Sequence, residues 1–119
     1  MPQSTSRLAE SSPVTSIEGT PTVGTFFIKP MISGQKVSML EVTLRRGVCS
    51  QMHAHSHESL IYVVSGAVRT VVGEEHFVLR QGEACCHPEN VLHNVEALED
   101  TLFIEVKAPV PVLSATLGI

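Results

Sequence analysis

Three of the six histidines fall in one heptapeptide, Gln51-Met52-His53-Ala54-His55-Ser56-His57. In a strand, residues two apart point to the same face, so His53 and His55 project together. A pair of imidazoles with that bite is a natural chelate for a divalent transition metal. The competing reading is a set of histidines on a solvated face. Cys49 and Gln51 share the parity of His53, which makes them candidates for the wall of the same cavity, with ordinary packing near a rim as the alternative.

The elements that would carry these residues read as strands. Val37–Leu44, Ile61–Ser65, Val68–Val72, His76–Leu79, Ala84–Cys86, Val91–Val95 and Thr101–Val106 are short runs rich in apolar and branched residues. They are separated by turn signals at Gly47, Gly66, Gly73-Glu74-Glu75, Gln81-Gly82, Pro88 and Leu98-Glu99-Asp100. Phe26–Ile28 is a further apolar run that ends at Pro30. Such spacing predicts an all-β sandwich or barrel, and no 12-residue stretch has helical periodicity. Residues 1–22 are rich in Ser, Thr, Pro and Gly and are expected to be an arm, flexible or docked on a partner. Residues 23–119 are expected to form one barrel domain with a C-terminal extension from Ala108, and 119 residues is one domain by size.

The spacing around the histidines resembles the two signature motifs of the cupin superfamily, in particular its small single-domain, RmlC-like members. The first motif, G-x5-H-x-H-x3,4-E-x6-G, is similar to Gly47, His53, His55, Ser59 and Gly66. The second, G-x5-P-x-G-x2-H-x3-N, is similar to Gly82, Pro88, Asn90, His93 and Ala97. The 15 residues between Gly66 and Gly82 match the short spacing of small cupins, and the resemblance covers residues 37–107. It implies a double-stranded β-helix, or jelly-roll barrel, and a metal held by His53, His55 and His93. The metal would be one divalent transition ion, with Fe, Zn, Ni, Mn and Cu all admissible.

The departures from the motifs matter. Ser59 stands where the first motif has its Glu ligand, and Ser is a weak ligand. Glu58 is one residue out of phase, and a one-residue shift turns a strand side chain to the other face. Whether Ser59 or Glu58 supplies a fourth ligand stays open, and Gln51, His57, Glu58 and Ser59 form the candidate pocket. Asn90 replaces a glycine but tolerates the left-handed region. A three-His centre leaves positions open for water or substrate, as a catalytic metal requires.

Several other residues have bland readings. His57 reads as a turn residue between strands, with an inward ligand or acid–base role as the alternative. His87, before Pro88, reads as a surface turn residue. Arg45, Arg69 and Lys107 could bind an anion but read singly as solvated. Cys85 and Cys86 are adjacent, so one should face inward and one outward. Tyr62 should face away from the cavity, and Met39 and Phe27 read as lining or core.

Composition narrows the function classes. The net charge is −4 without a basic stripe, which argues against nucleic-acid binding. No apolar run approaches the ~20 residues of a spanning helix, so no membrane partner is expected. Three cysteines, two adjacent, do not read as a disulfide framework, and a cytoplasmic location is expected. Ile61–Val64 and Leu102–Val106 are apolar at both parities, as in a strand covered on both faces, which points to a homodimer. The resemblance implies an enzyme acting on a small oxygen-containing organic molecule, of dioxygenase, isomerase or lyase type. Absence of an acidic ligand and of a carboxylate base in phase with the site favours the oxygenase. The alternative is a non-catalytic small-molecule binder or sensor with a weakened metal site.

Overall fold

The structure, a computed structural model, describes residues 3–119. Among these residues the chain forms β1 (Ser12–Ile17), β2 (Thr20–Ser33), β3 (Ser38–Leu44), β4 (Glu58–Ser65), β5 (Ala67–Val72), β6 (Glu75–Arg80), β7 (Ala84–His87), β8 (His93–Ala97), β9 (Thr101–Ala108) and one short helix, α1 (Leu113–Thr116). All strand pairs are antiparallel. A six-stranded sheet runs β1-β2-β3-β9-β4-β7 and faces a three-stranded sheet, β6-β5-β8. This is the jelly roll that the cupin resemblance implies, within the all-β class that the turn spacing predicts.

Alternation builds the interior. Along β3, Ser38, Leu40, Val42 and Leu44 are buried and their neighbours are not. Along β4, Ser59, Ile61 and Val63 point inward. The resulting core joins Phe26, Ile28, Val42, Val63, Val68 and Phe103 from both sheets. Burying each such side chain contributes roughly 1.5–3 kcal/mol.

Gly66, between β4 and β5, shows why a glycine is required at a corner. Its φ is +91°, and an added Cβ would lie 2.4 Å from the Asp100 carbonyl oxygen. Asn90 takes φ +61° at the position where the cupin motif has glycine, as its tolerance of the left-handed region allows.

The structure corrects the expected division of the chain. Ser12–Ile17, placed in a flexible or partner-docked arm by composition, is a strand paired with β2 in its own chain, and Val14 and Ile17 lie in the core. A register shift between Val14 and Ser16 sets the two buried residues three apart, so the segment lacks the alternation that marks a strand in sequence. β2 also continues past Pro30, where the register shifts between Pro30 and Ile32; a bulge accommodates the missing N–H. The C-terminal extension folds back, so that Leu117 joins the core and Leu113 and Ile119 pack on it. Phe27 and Met39 point outward and are exposed, because their neighbours Phe26, Ile28, Ser38 and Leu40 take the inward phase.

Candidate metal centre

Residues 53–63 alternate in burial although β4 begins only at Glu58. His53, His55, His57, Ser59, Ile61 and Val63 therefore share one inward face. The third imidazole is brought in by a backbone bridge. His53 N–H donates to His93 O at 3.0 Å, and His93 N–H donates to His53 O at 2.8 Å. The turn after Pro88 is tied to the same segment, since Asn90 N–H donates to His55 O at 2.7 Å. One donor atom from each of His53, His55 and His93 then lies within 4.8 Å of the others, and all three residues are buried.

Each of these rings is also oriented. His53 Nδ1 is 2.7 Å from Gln51 O, His93 Nδ1 is 3.0 Å from Val91 O, and His55 Nδ1 is 2.7 Å from Glu18 Oε1. In each case the partner is an acceptor, so Nδ1 carries the proton and Nε2 keeps its lone pair. That arrangement of outer partners is the one that orients metal-binding histidines. Burial also keeps the imidazoles neutral. It lowers the pKa of His53 and His55, aided at His55 by Lys107, and brings His93 down to about 4. Three neutral Nε2 donors fit one divalent transition ion.

The remaining interior is more polar than the sequence reading allowed. His57 is buried, stacks on His55 with ring centroids 4.3 Å apart, and accepts a hydrogen bond at Nε2 from Lys107 Nζ at 3.0 Å. Burial, then the Lys107 charge, brings its pKa down to about 4. The turn-residue reading of His57 is thus replaced by an inward one, and its parity with His53 and His55 was the available signal. His87, expected at the surface, is buried and stacks on His93 at 4.1 Å. Its Nε2 lies 2.9 Å from Thr70 Oγ1, whose own proton goes to Asn94 O at 2.7 Å. His87 Nε2–H is therefore the donor in that pair. Desolvation brings its pKa down to about 3.

Lys107, read as solvated, is 2% exposed and is the largest fully buried side chain. Its ammonium lies 3.3 Å from Glu105 Oε2. Glu105 was missed in the sequence. It follows Thr101 and Phe103 in the inward phase of β9, and a charge in that phase was the signal. Burial alone would raise the Glu105 pKa, but Lys107, His87 and nearby Ser59 outweigh it, and the carboxyl is held below its ordinary value. The interior leaves a small cavity of about 40 Å³ on which His53, His55, His93, His87, Glu105 and Lys107 all border.

Two candidate pocket residues lie elsewhere. Gln51 is exposed, and its Nε2 donates to Pro21 O at 2.8 Å on the outside of the barrel. Glu58 is exposed, in the outward phase of β4, so it does not approach the three imidazoles. Ser59 is buried on the inner face, beside the Glu105 carboxylate whose ionised form it favours. Tyr62 is exposed, Cys85 packs against the core and Cys86 is exposed. Arg69 pairs with Glu96 at the surface.

A closed antiparallel jelly roll with three convergent imidazoles defines the class: a small barrel whose interior can hold one metal ion. The chain belongs to the cupin family, whose cupin-domain model matches residues 40–106. No curated protein matched the sequence. Among solved structures, an RmlC-like cupin from Shewanella frigidimarina is 19% identical with a TM-score of 0.81, covering 92% of both chains. KdgF from Halomonas sp. is 28% identical with a TM-score of 0.70, covering 73% of this chain and 81% of its own. A predicted oxalate decarboxylase from Thermotoga maritima is 15% identical with a TM-score of 0.78, covering 90% and 98%. At those identities the first and third establish the fold alone. No helix among the described residues is long and apolar enough to cross a membrane.

Proposed function

We propose that this cupin is a metal-dependent enzyme that moves a proton on a small oxygen-containing organic molecule, an isomerase or lyase. The single observation that carries this reading is Glu105, an ionised carboxylate on the same cavity as His53, His55 and His93. The sequence reading leaned to an oxygenase because it found no such base. A divalent metal on the three Nε2 atoms would polarise a carbonyl or hydroxyl oxygen of the substrate. Glu105 would take a proton from the adjacent carbon and return it to a neighbouring atom, which is isomerisation. With loss of a leaving group instead, the same abstraction gives elimination. Lys107 holds Glu105 ionised, and the apolar walls from Ile28, Val42 and Phe103 exclude water.

The test is proton exchange. Metal-loaded protein is incubated in D2O with a panel of small hydroxy and oxo compounds and followed by NMR. Metal-dependent deuterium uptake at carbon, abolished by Glu105→Gln, is expected. Oxygen consumption without deuterium uptake would return the reading to a dioxygenase. Binding of a compound with neither would favour the second reading, a non-catalytic binder, for which the weak Ser59 position is the motivating observation.

Two further assignments belong to this reading. The outer face of the large sheet carries an uncharged row, Ile32, Met39, Val106 and Leu60, in register across β2, β3, β9 and β4. Ile32, Met39 and Leu60 are exposed, and the row is assigned to a second copy of the chain in a homodimer. The three cysteines are free, which suits the reducing cytoplasm.

A further inference from the structure

The three-His cavity is closed: the residues around it are buried, apart from the partly buried Glu105. Its volume is about 40 Å³, where a single water takes roughly 10–15 Å³. It holds a few waters, and no organic molecule fits beside a metal ion, so a substrate needs part of the wall to move. Most of the wall is tied in place. Its strand residues, from Ile17 on β1 to Lys107 on β9, belong to the two sheets. Ser50 N–H donates to Val95 O at 2.9 Å, His53 is bridged to His93, and His55 O accepts from Asn90 N–H. Leu117 is the exception. It borders the cavity, but its N–H donates to Leu113 O at 2.8 Å within its own helical turn.

The sequence explains why this part of the wall stands apart. Pro109 and Pro111 lack the N–H that would extend the β9 ladder, and the chain leaves the sheet after Ala108. α1 is a single turn with no side-chain hydrogen bond at its N-cap, and one helical turn does not sustain itself. Among the described residues, one backbone hydrogen bond joins residues 109–119 to the barrel: Glu18 N–H donates to Thr116 O at 2.8 Å. The apolar side chains of Leu113, Leu117 and Ile119 hold the segment down. Such contacts are non-directional and part without breaking a strand ladder.

Directly outside lies a groove of about 340 Å³, between Glu18, Ser56 and His57 on the barrel and the C-terminal segment. Cavity and groove are two sides of one thin partition. Ile17, His55 and Leu117 border the cavity, and their chain neighbours Glu18, Ser56 and Thr116 border the groove. Withdrawal of Leu117 would therefore join the two spaces beside a candidate metal ligand.

We propose that residues 110–119 are a lid on the three-His cavity, that Leu117 is its stopper, and that a small substrate enters from the groove when the lid lifts. This rests on the metal-centre reading above, and it adds the route into that same site and the side chain that controls it.

Two measurements on the full chain test it, one of them without metal. In the metal-free chain, amide hydrogen exchange reads the lid itself. Glu18 lies on the barrel, but its N–H is protected by Thr116 O, so it is released when the lid lifts. The Glu18 and Leu117 amides should exchange together, at least roughly 100-fold faster than those of Ile61 and Phe103 in the central strands. In the zinc-loaded chain, extraction by the chromophoric chelator 4-(2-pyridylazo)resorcinol reads access. Leu117→Ala should speed zinc release and zinc uptake alike, at least roughly tenfold, because the buried leucine is what holds the lid shut. The zinc Kd should stay as it is, since Leu117 supplies no ligand atom. Val63→Ala truncates the core away from the cavity wall and should leave both rates unchanged. If the Glu18 and Leu117 amides exchange as slowly as Ile61 and Phe103, the segment is no lid. If Val63→Ala speeds zinc exchange as much as Leu117→Ala, or Leu117→Ala does not speed it, the stopper is overturned and the metal centre stands. A chain that takes up no zinc would end the metal-centre reading, while the Glu18 amide still decides whether the segment lifts.

Discussion

Glu18 and His55 are joined by a hydrogen bond of 2.7 Å between the Glu18 carboxylate and His55 Nδ1, across 37 residues of sequence. Glu18 sits at the turn between β1 and β2 with φ +52°, and its N–H donates to Thr116 O at 2.8 Å. The N-terminal hairpin and the C-terminal segment thus meet at the one candidate ligand whose partner is a side chain. His53 and His93 are oriented by backbone carbonyls, which substitution cannot remove. Glu18→Ala should weaken metal binding roughly 10- to 100-fold, the usual effect of losing such an outer partner. Competition with a chromophoric chelator measures it, and an unchanged affinity would show that the carboxylate is dispensable.

Histidine substitutions should sort into three groups. His53→Ala and His93→Ala should lose the metal and remain folded. His76→Ala, on an exposed position of β6, should retain both metal and stability. His87→Ala should keep the metal but lower the thermal midpoint, because it removes a buried ring stacked on His93 and bonded to Thr70. The destabilisation should be on the order of 1–3 kcal/mol. Metal analysis and thermal melts on the same samples separate the groups. Loss of metal from His87→Ala with retention in His93→Ala would reverse the assignment of the second-motif ligand.

The dimer assignment depends on the uncharged outer row. Leu60→Asp places a carboxylate at the β4 end of that row, on a side chain that is half exposed in the single chain. The substitution should leave the barrel folded and convert the dimer to monomer. Light scattering at micromolar concentration reads the mass directly. A wild-type mass equal to the monomer would remove the assignment.

The vicinal cysteines should react differently. Burial, with smaller contributions from Cys86 and Glu105, pushes the Cys85 thiol up to about 12, and the thiolate is the reactive form. At pH 8 iodoacetamide should label exposed Cys86 first and leave Cys85 unmodified in the native protein. All three cysteines should label in denaturant. Peptide mass spectrometry gives the site-by-site extent, and equal labelling of Cys85 and Cys86 under native conditions would contradict the packing of Cys85 against the core.

The strand plan was legible because it rests on local chemistry. Turns at Gly47, Gly66, Gly82 and Pro88 and the alternation within β3 to β9 are written in residues a few positions apart. The convergence of His53, His55 and His93 was legible for a related reason: the two motifs tie ligand spacing to glycine turns, and all three glycines do adopt positive φ. β1 was not legible, because Val14 and Ile17 are too few apolar residues to mark a strand among Ser and Thr. The polar half of the cavity was not legible either. Lys107 and His87 are ordinarily surface residues, and each is buried only because its partner arrives from far along the chain: His57 is 50 residues from Lys107, and Thr70 is 17 from His87. A sequence shows which residue types can donate, accept or ligate. Whether a charge or a ring can afford to leave water depends on the group opposite it, and only the closed barrel decides that.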